Sequence, residues 1–284
     1  MIYDEPAERR DSLAINERLR GLRRFTPARI ALGRAGSGQP TEANLRFMLD
    51  HARARDAIHA AADFESLGRA LEAKDWIVVR LHSAAPDRAT YLRRPDLGRR
   101  LSSESRAIVA QRRDNCDVAI VAADGLSALA VERGLMPLLD HLRPLLIARR
   151  LALGPLALVN QGRVAVGDEI GQQVDAKLVV VLIGERPGLS AADSLGAYIT
   201  WRPQLGSMDS NRNCVSNIRP SGLSFEAAAT QISDIVGLAF AYEVTGVRLN
   251  GFRSVAAQTS SEARDRLQLE GNGNPRSVPW GAKA

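Results

Sequence analysis

Four short apolar runs, alternating with stretches of helical patterning, constrain this chain more than any other feature. They are Trp76-Ile-Val-Val-Arg-Leu81, Val118-Ala-Ile-Val-Ala122, Leu156-Ala-Leu-Val159 and Leu178-Val-Val-Val-Leu-Ile183. A strand that is apolar at successive positions buries both of its faces, the habit of a parallel sheet covered by helices on two sides. Residues 102–113 and 126–148 are helical stretches that precede the second and third runs. This alternation predicts a doubly wound α/β domain with a mainly parallel sheet over residues 71–253. Residues 225–244, rich in Ala with Ile232, Ile235, Val236 and Phe240 in helical register, make its last long helix.

Ahead of the sheet the pattern is helical. Residues 12–24 place Leu13, Leu19 and Leu22 among arginines, with Ser12 as N-cap and Pro27 as terminator. Thr41 opens a long helix whose Leu45, Met48, Leu49 and Ala52 recur at i, i+3, i+4 and i+7. Residues 1–70 therefore read as a small N-terminal helical domain, and residues 254–284, poor in large apolar side chains, as a flexible tail. At ~150 residues per domain, a chain of 284 residues has room for about two.

The charge balance is uneven. The whole chain carries 38 basic and 32 acidic side chains, and residues 1–113 hold 22 and 15 of them. The basic side is almost entirely arginine, with lysine only at Lys74, Lys177 and Lys283. Such an excess fits nucleic acid, an acidic partner surface or a merely solvated face. Two cysteines and four scattered histidines, without HExxH, give no metal cluster and no disulfide framework. No apolar run reaches the ~18 residues that a bilayer span requires. The N-terminal residues have neither the basic nor the apolar region of a secretory signal. A soluble, cytoplasmic setting is the expectation.

Open α/β sheets bind ligands beyond the carboxyl ends of their strands. The segments there are His82-Ser83, Asp124-Gly125-Leu126-Ser127, Asn160-Gln-Gly-Arg-Val164 and Gly184-Glu-Arg-Pro-Gly188. In the last, a buried strand runs straight into a carboxylate. Glu185 needs hydrogen-bond donors or a cation there. It either pairs locally with Arg186 or Arg163, or it faces the amide donors of a ligand. A second polar cluster, residues 208–220, reads as a loop that holds Cys214 half-buried against a ligand. No histidine lies nearby in sequence, which disfavours a catalytic thiol. Gly33–Gly38 lacks the Lys-Ser/Thr of a phosphate-binding loop, and GxSxG is absent. Tyr91–Arg100 has the charge of an RNA-binding patch, but its Pro95-Asp96 fits a docking loop equally well. The rival reading, resting on charge and on Gly33–Gly38 alone, is a non-enzymatic Rossmann-like nucleotide- or nucleic-acid-binding protein.

The loops also resemble a family. LRRFTPARIALGRAG (22–36), YLRRPDLGRRL (91–101), ADGLSALAV (123–131), GRVAVGDEIG (162–171), LIGERPGLSAADSLGAY (182–198) and RNCVSNIRPSG (212–222) are similar, in the same order, to the small (light) chain of ethanolamine ammonia-lyase. The resemblance implies a Rossmann-like domain with a helical N-terminal part. It also implies a lyase that converts ethanolamine to acetaldehyde and ammonia with adenosylcobalamin. The corrinoid would lie between this chain and a large TIM-barrel chain, base-on, with no histidine ligand from this chain. Family assemblies hold six copies of each chain. Cofactor-contacting positions carried over from the motifs are Val164 in GRV, Glu185 in GERPG and Cys214 in RxCxSN, with Gly184, Arg186 and Asn217 behind them. The resemblance assigns no catalytic residue and no metal ligand to this chain, because the substrate sits on the large one. Arg34, Arg93, Arg94, Arg99 and Arg100 become candidate contacts to that partner rather than to nucleic acid. Better-known members carry a longer N-terminal extension linked to bacterial microcompartments, so encapsulation stays open for this chain.

Overall fold

The computed structural model describes residues 19–34, 37–112 and 115–251. Six strands form one sheet in the order β1-β3-β2-β4-β5-β6. They are β1 (Val78–His82), β2 (Val118–Ala123), β3 (Leu153–Asn160), β4 (Leu178–Gly184), β5 (Leu195–Trp201) and β6 (Arg212–Ile218). The first four are mutually parallel, and β5 and β6 add to the β4 side in antiparallel sense. The four apolar runs supply β1 to β4, with Trp76 and Ile77 ahead of β1. β2 and β4 are buried at every position, as a strand covered on both faces must be.

Alternation along β2 divides the core in two. Val118, Ile120 and Ala122 join one apolar cluster, and Ala119, Val121 and Ala123 join the other. The first cluster takes in helix α2 (Phe64–Glu72), helix α5 (Ala128–Ala148) and helix α7 (Phe225–Tyr242). The second takes in Val109 of α4 (Ser103–Ala110) and Val166 and Ile170 of α6 (Val166–Gln173). Two shorter elements, α3 (Arg88–Arg93) and a 3-10 turn at Leu97–Arg99, complete the β1–β2 crossover. The molecule is thus a mixed α/β fold with a mostly parallel sheet and helices on both sides. α2 belongs to the main core through Phe64, Leu67 and Leu71.

Serine and aspartate start most of these helices. Side chains of Asp63, Asp87, Ser102, Ser127 and Ser224 each accept a backbone N–H three residues on, satisfying an otherwise unpaired donor. Ser102, Ser127 and Ser224 sit at the starts of the three sheet-covering helices that the sequence predicts.

Several expectations need correction. Residues 212–218, read as a polar loop, are the edge strand β6, and β5 was not foreseen either. Beyond Arg212 and Asn213, which are both buried, only one face of β6 is covered. Val215 and Ile218 go into the core while Cys214 and Ser216 stay exposed, which leaves the strand polar in composition. The long helix does form as α1 (Thr41–His59), but its apolar row is not buried. Leu45, Met48 and Leu49 are 59%, 58% and 50% exposed, and Ala54 and Ala57 face the protein instead. Of the first predicted helix, the described part is Leu19 and Arg20 followed by a 3-10 turn at Gly21–Arg24. Ser12 and the proposed tail, 254–284, lie outside the described residues, as does Gly36 of the glycine-rich turn.

Candidate functional site

The parallel register brings the ends of four strands to one edge. His82 pairs with Asn160, Ala123 with Val159, and Ala123 with Ile183. The turns that follow these strands therefore share one side of the sheet. β4 ends at Gly184 because the β2–α5 turn passes over it. A Cβ on Gly184 would collide with the backbone oxygens of Ser127 and Asp124, so only glycine allows this approach.

Glu185 follows directly. Its backbone N–H donates to the Ser194 carbonyl at 2.9 Å. Its Oε2 accepts the Ser194 hydroxyl at 2.5 Å and the Asn217 backbone N–H at 3.1 Å. Neither Arg163 nor Arg186 lies within ion-pair distance, so the local salt-bridge reading of Glu185 does not hold. The carboxylate rests on β5 over Gly196, where an added Cβ would come within 2.9 Å of Oε1. Asn217 reaches Glu185 from a left-handed backbone turn (φ 59°) at the end of β6, a conformation that asparagine tolerates better than most side chains. Arg219 fixes this turn from behind. Its Nε donates to Asn217 Oδ1 at 3.0 Å and its Nη1 to the Ser190 carbonyl at 2.7 Å.

Val164, Glu185, Gly184, Arg186 and Tyr198 line one cavity of about 470 Å³. Cys214 is not in its wall, but it pairs across the sheet with Tyr198, so both side chains stand on the same face. Partial burial pushes the Cys214 thiol pKa up. The Tyr198 hydroxyl opposes this and the Glu185 carboxylate adds to it. Burial and the neighbouring Cys214 push Tyr198 up to about 12. At neutral pH this face of the sheet thus presents a neutral phenol and a neutral thiol beside Glu185. Cys214 (on β6) and His82 (on β1) stand at opposite edges of the sheet, so that histidine is no base for the thiol.

The Val164 loop is held by a buried polar unit that the sequence reading missed. Tyr91 is fully buried, and the guanidinium groups of Arg88 and Arg163 lie over its ring at 4.8 Å and 4.4 Å from the centroid. Its hydroxyl donates to the Gly162 carbonyl at 3.1 Å. Asp124, fully buried at the end of β2, accepts the Gly162 N–H at 3.2 Å. Burial pushes its carboxyl pKa up against the pull of those backbone donors and Arg88. Arg88 donates to Gln161 Oε1 at 3.2 Å and to the Gly125 carbonyl at 2.8 Å. The sequence signal was present in YLRRPD, where a tyrosine lies three residues after Arg88, but only the fold shows what it touches.

A second clamp ties β6 to α6. Arg212 forks onto Asp168 with both bonds at 2.6 Å, and it also reaches Thr200 Oγ1 at 3.0 Å. Arg212 and Asp168 are both buried. Among the described residues no group of three or more His, Cys, Asp or Glu side chains is placed to hold a metal ion. Likewise no described helix is long and apolar enough to cross a membrane.

Comparison with known proteins agrees with the motif resemblance. The family model described as "Ethanolamine ammonia-lyase light chain" matches residues 16–250. An ethanolamine ammonia-lyase small subunit from Xanthomonas campestris pv. campestris (strain B100) is 48% identical over 252 residues, covering 86% of this chain and 93% of that one. One from Pseudomonas syringae pv. tomato is 48% identical over 252 residues, 86% of this chain and 88% of its own. A third, from Azotobacter vinelandii, is 50% identical over 239 residues, 83% and 88% of the two chains.

Proposed function

The chain belongs to the ethanolamine ammonia-lyase light-chain family, and from that premise we propose that Val164, Glu185 and Cys214 flank an adenosylcobalamin where this subunit of a carbon–nitrogen lyase meets its large subunit. A large-subunit partner follows from the name its relatives carry. An assembly of six copies of each chain and a place in the cytoplasm or a microcompartment are further parts of this reading. So is the Rossmann-like, doubly wound description. It is supported by helices on both sides of parallel strands, although the order β1-β3-β2-β4 differs from the nucleotide-fold order 3-2-1-4-5-6. The nucleotide- or nucleic-acid-binding alternative has no support among the relatives.

The residues present suit a large ring fringed with amides. Glu185 is held by two donors on one oxygen and is only half-buried, so the carboxylate keeps acceptor capacity for amide N–H groups. Gly196 leaves the sheet surface flat beneath it. Arg163 has a buried Nε with no hydrogen-bond partner, an orphaned donor beside Val164 that a ligand acceptor would satisfy.

When bound, adenosylcobalamin supplies the radical chemistry of the elimination. This chain's own residues bind and orient. Glu185, fixed by Ser194 and Asn217, accepts hydrogen bonds from peripheral amides. Val164 offers an apolar contact from a loop anchored by Tyr91 and Asp124. Cys214 and Tyr198, both neutral, extend the wall without adding charge.

The observation that carries this reading is that Val164 and Glu185, from turns after different strands, line one cavity next to the Tyr198–Cys214 pair. The test is co-expression with the large subunit. Adenosylcobalamin-dependent acetaldehyde formation is expected from the complex. Glu185→Gln in that complex should weaken cobalamin affinity roughly tenfold, the scale of one charge-assisted hydrogen bond, while far-UV circular dichroism stays unchanged. Unaltered affinity in a spectroscopic titration removes Glu185 from the role given to it here.

A further inference from the structure

The Val164 loop borders a second cavity of about 930 Å³, and arginines dominate its wall. Two of the five are already paired. Arg106 meets Glu169 at 2.6 Å, and Arg212 meets Asp168 at 2.6 Å with Asp209 at 3.5 Å. The other three are Arg99, Arg100 and Arg163. Among the described residues none of them has a carboxylate within ion-pair distance. Arg163 lines both cavities, as does Val164. Its Nη2 donates to the Tyr91 carbonyl at 3.3 Å and its Nε is buried without a partner. Arg99 and Arg100 are exposed and follow Gly98, whose carbonyl accepts the Arg163 N–H at 2.7 Å. The loop that carries Val164 and the turn that carries two unpaired cations are therefore stitched together.

Five arginines against Glu169 and Asp209 give this cavity wall an excess of positive charge, and the three guanidinium groups without a carboxylate partner favour an anion there. Guanidinium groups bind phosphate oxygens better than any other side chain because their N–H forks match the geometry. We propose that Arg99, Arg100 and Arg163 form an anion site for the phosphodiester of the cobalamin nucleotide tail, continuous with the cavity that Glu185 and Val164 line. This rests on reading that neighbouring cavity as the corrinoid site. It assigns the specificity for a complete cobalamin over a tail-less corrinoid to this chain. It also removes Arg99 and Arg100 from the set of candidate contacts to the large subunit.

The test uses the complex with the large subunit and two probes, cyanocobalamin and dicyanocobinamide, which lacks the nucleotide tail and its phosphate. Affinities are read by equilibrium dialysis of the corrinoid absorbance. The wild-type complex should prefer cyanocobalamin. In Arg99→Gln/Arg100→Gln that preference should shrink roughly tenfold or more, with dicyanocobinamide affinity unchanged. Arg163→Lys, which keeps charge but loses the fork, should shrink it as well. The preference in the wild type should fall as sodium chloride is raised. If the double variant weakens both probes equally, or neither, the anion site is wrong while the corrinoid cavity stands. If the double variant fails to co-purify with the large subunit, the two arginines belong to the subunit joint and the proposal falls. If the wild-type complex takes up neither probe, the corrinoid reading itself fails and this inference with it.

Discussion

A thiol beside a carboxylate is harder to ionise than one in water, and Cys214 has Glu185 for a neighbour. Partial burial and then the Glu185 charge raise its pKa, with Tyr198 pulling the other way. A raised pKa means less thiolate at any given pH, and alkylation follows the thiolate. Iodoacetamide should therefore label Cys214 slowly at pH 8 despite its exposure, and the rate should climb to a midpoint above the ordinary ~8.5 of a free thiol. Glu185→Gln removes the negative charge and should bring that midpoint down, so labelling at pH 8 speeds up. Peptide mapping separates Cys214 from the buried Cys116. A midpoint at or below the ordinary value, or one indifferent to Glu185, contradicts the contact. At this scale the sequence points to candidate residues and is silent about their partners. It offered Arg163 and Arg186 as cations for Glu185. The carboxylate is instead satisfied by a serine nine positions on and a backbone N–H on another strand.

A buried ion pair clamps the β6 side of the site. Arg212 of β6 and Asp168 of α6 bridge an edge strand to a helix that is only eight residues long. Removing one charge of such a pair leaves the other buried and uncompensated. Asp168→Asn should cost about 3–5 kcal/mol of stability, read by denaturant unfolding of the isolated chain, and it should loosen β6 before the parallel strands. A loss within the ~0.5 kcal/mol typical of surface changes would show that the pair does not clamp the sheet. The same geometry explains what was legible. β2, β3 and β4 are central, so their residues are apolar in succession and any window finds them, and the edge strand β1 is found through Val78, Val79 and Leu81. β5 places Gly196 under a carboxylate and Tyr198 over an open face, and β6 spends alternate positions on Cys214 and Ser216. β6 is written in residues that elsewhere mark loops, whereas β5 holds the strand formers Tyr198, Ile199, Thr200 and Trp201 behind a Gly196-Ala197 interruption. α6 was hidden for a related reason. Its first turn buries Asp168 and Glu169, which look solvent-facing until Arg212 and Arg106 are seen to neutralise them.

On the scale of the whole molecule, the site is a wall rather than an enclosure. Its cavity of about 470 Å³ is far smaller than a corrinoid with its peripheral amides, and Arg186, Cys214 and Asn217 around it are exposed. Surface that buries a ligand on one side alone recovers only part of the hydrophobic and hydrogen-bonding stabilisation that a closed pocket provides. On the proposed reading, the remainder comes from the large subunit. Periodicity could show neither this nor the fate of α1, whose Leu45, Met48 and Leu49 obey helical spacing yet point away from the protein. Spacing tells which residues share a face, but not whether that face meets this chain's core. The expectation is that the purified chain retains no corrinoid through gel filtration, that the large subunit alone retains little, and that the mixture co-elutes with a corrinoid spectrum. Because the binding surface is divided, retention by the mixture should exceed the sum of the two separate chains. Full retention by this chain alone would mean that the wall closes on itself, and the division of the site between two subunits would then be wrong.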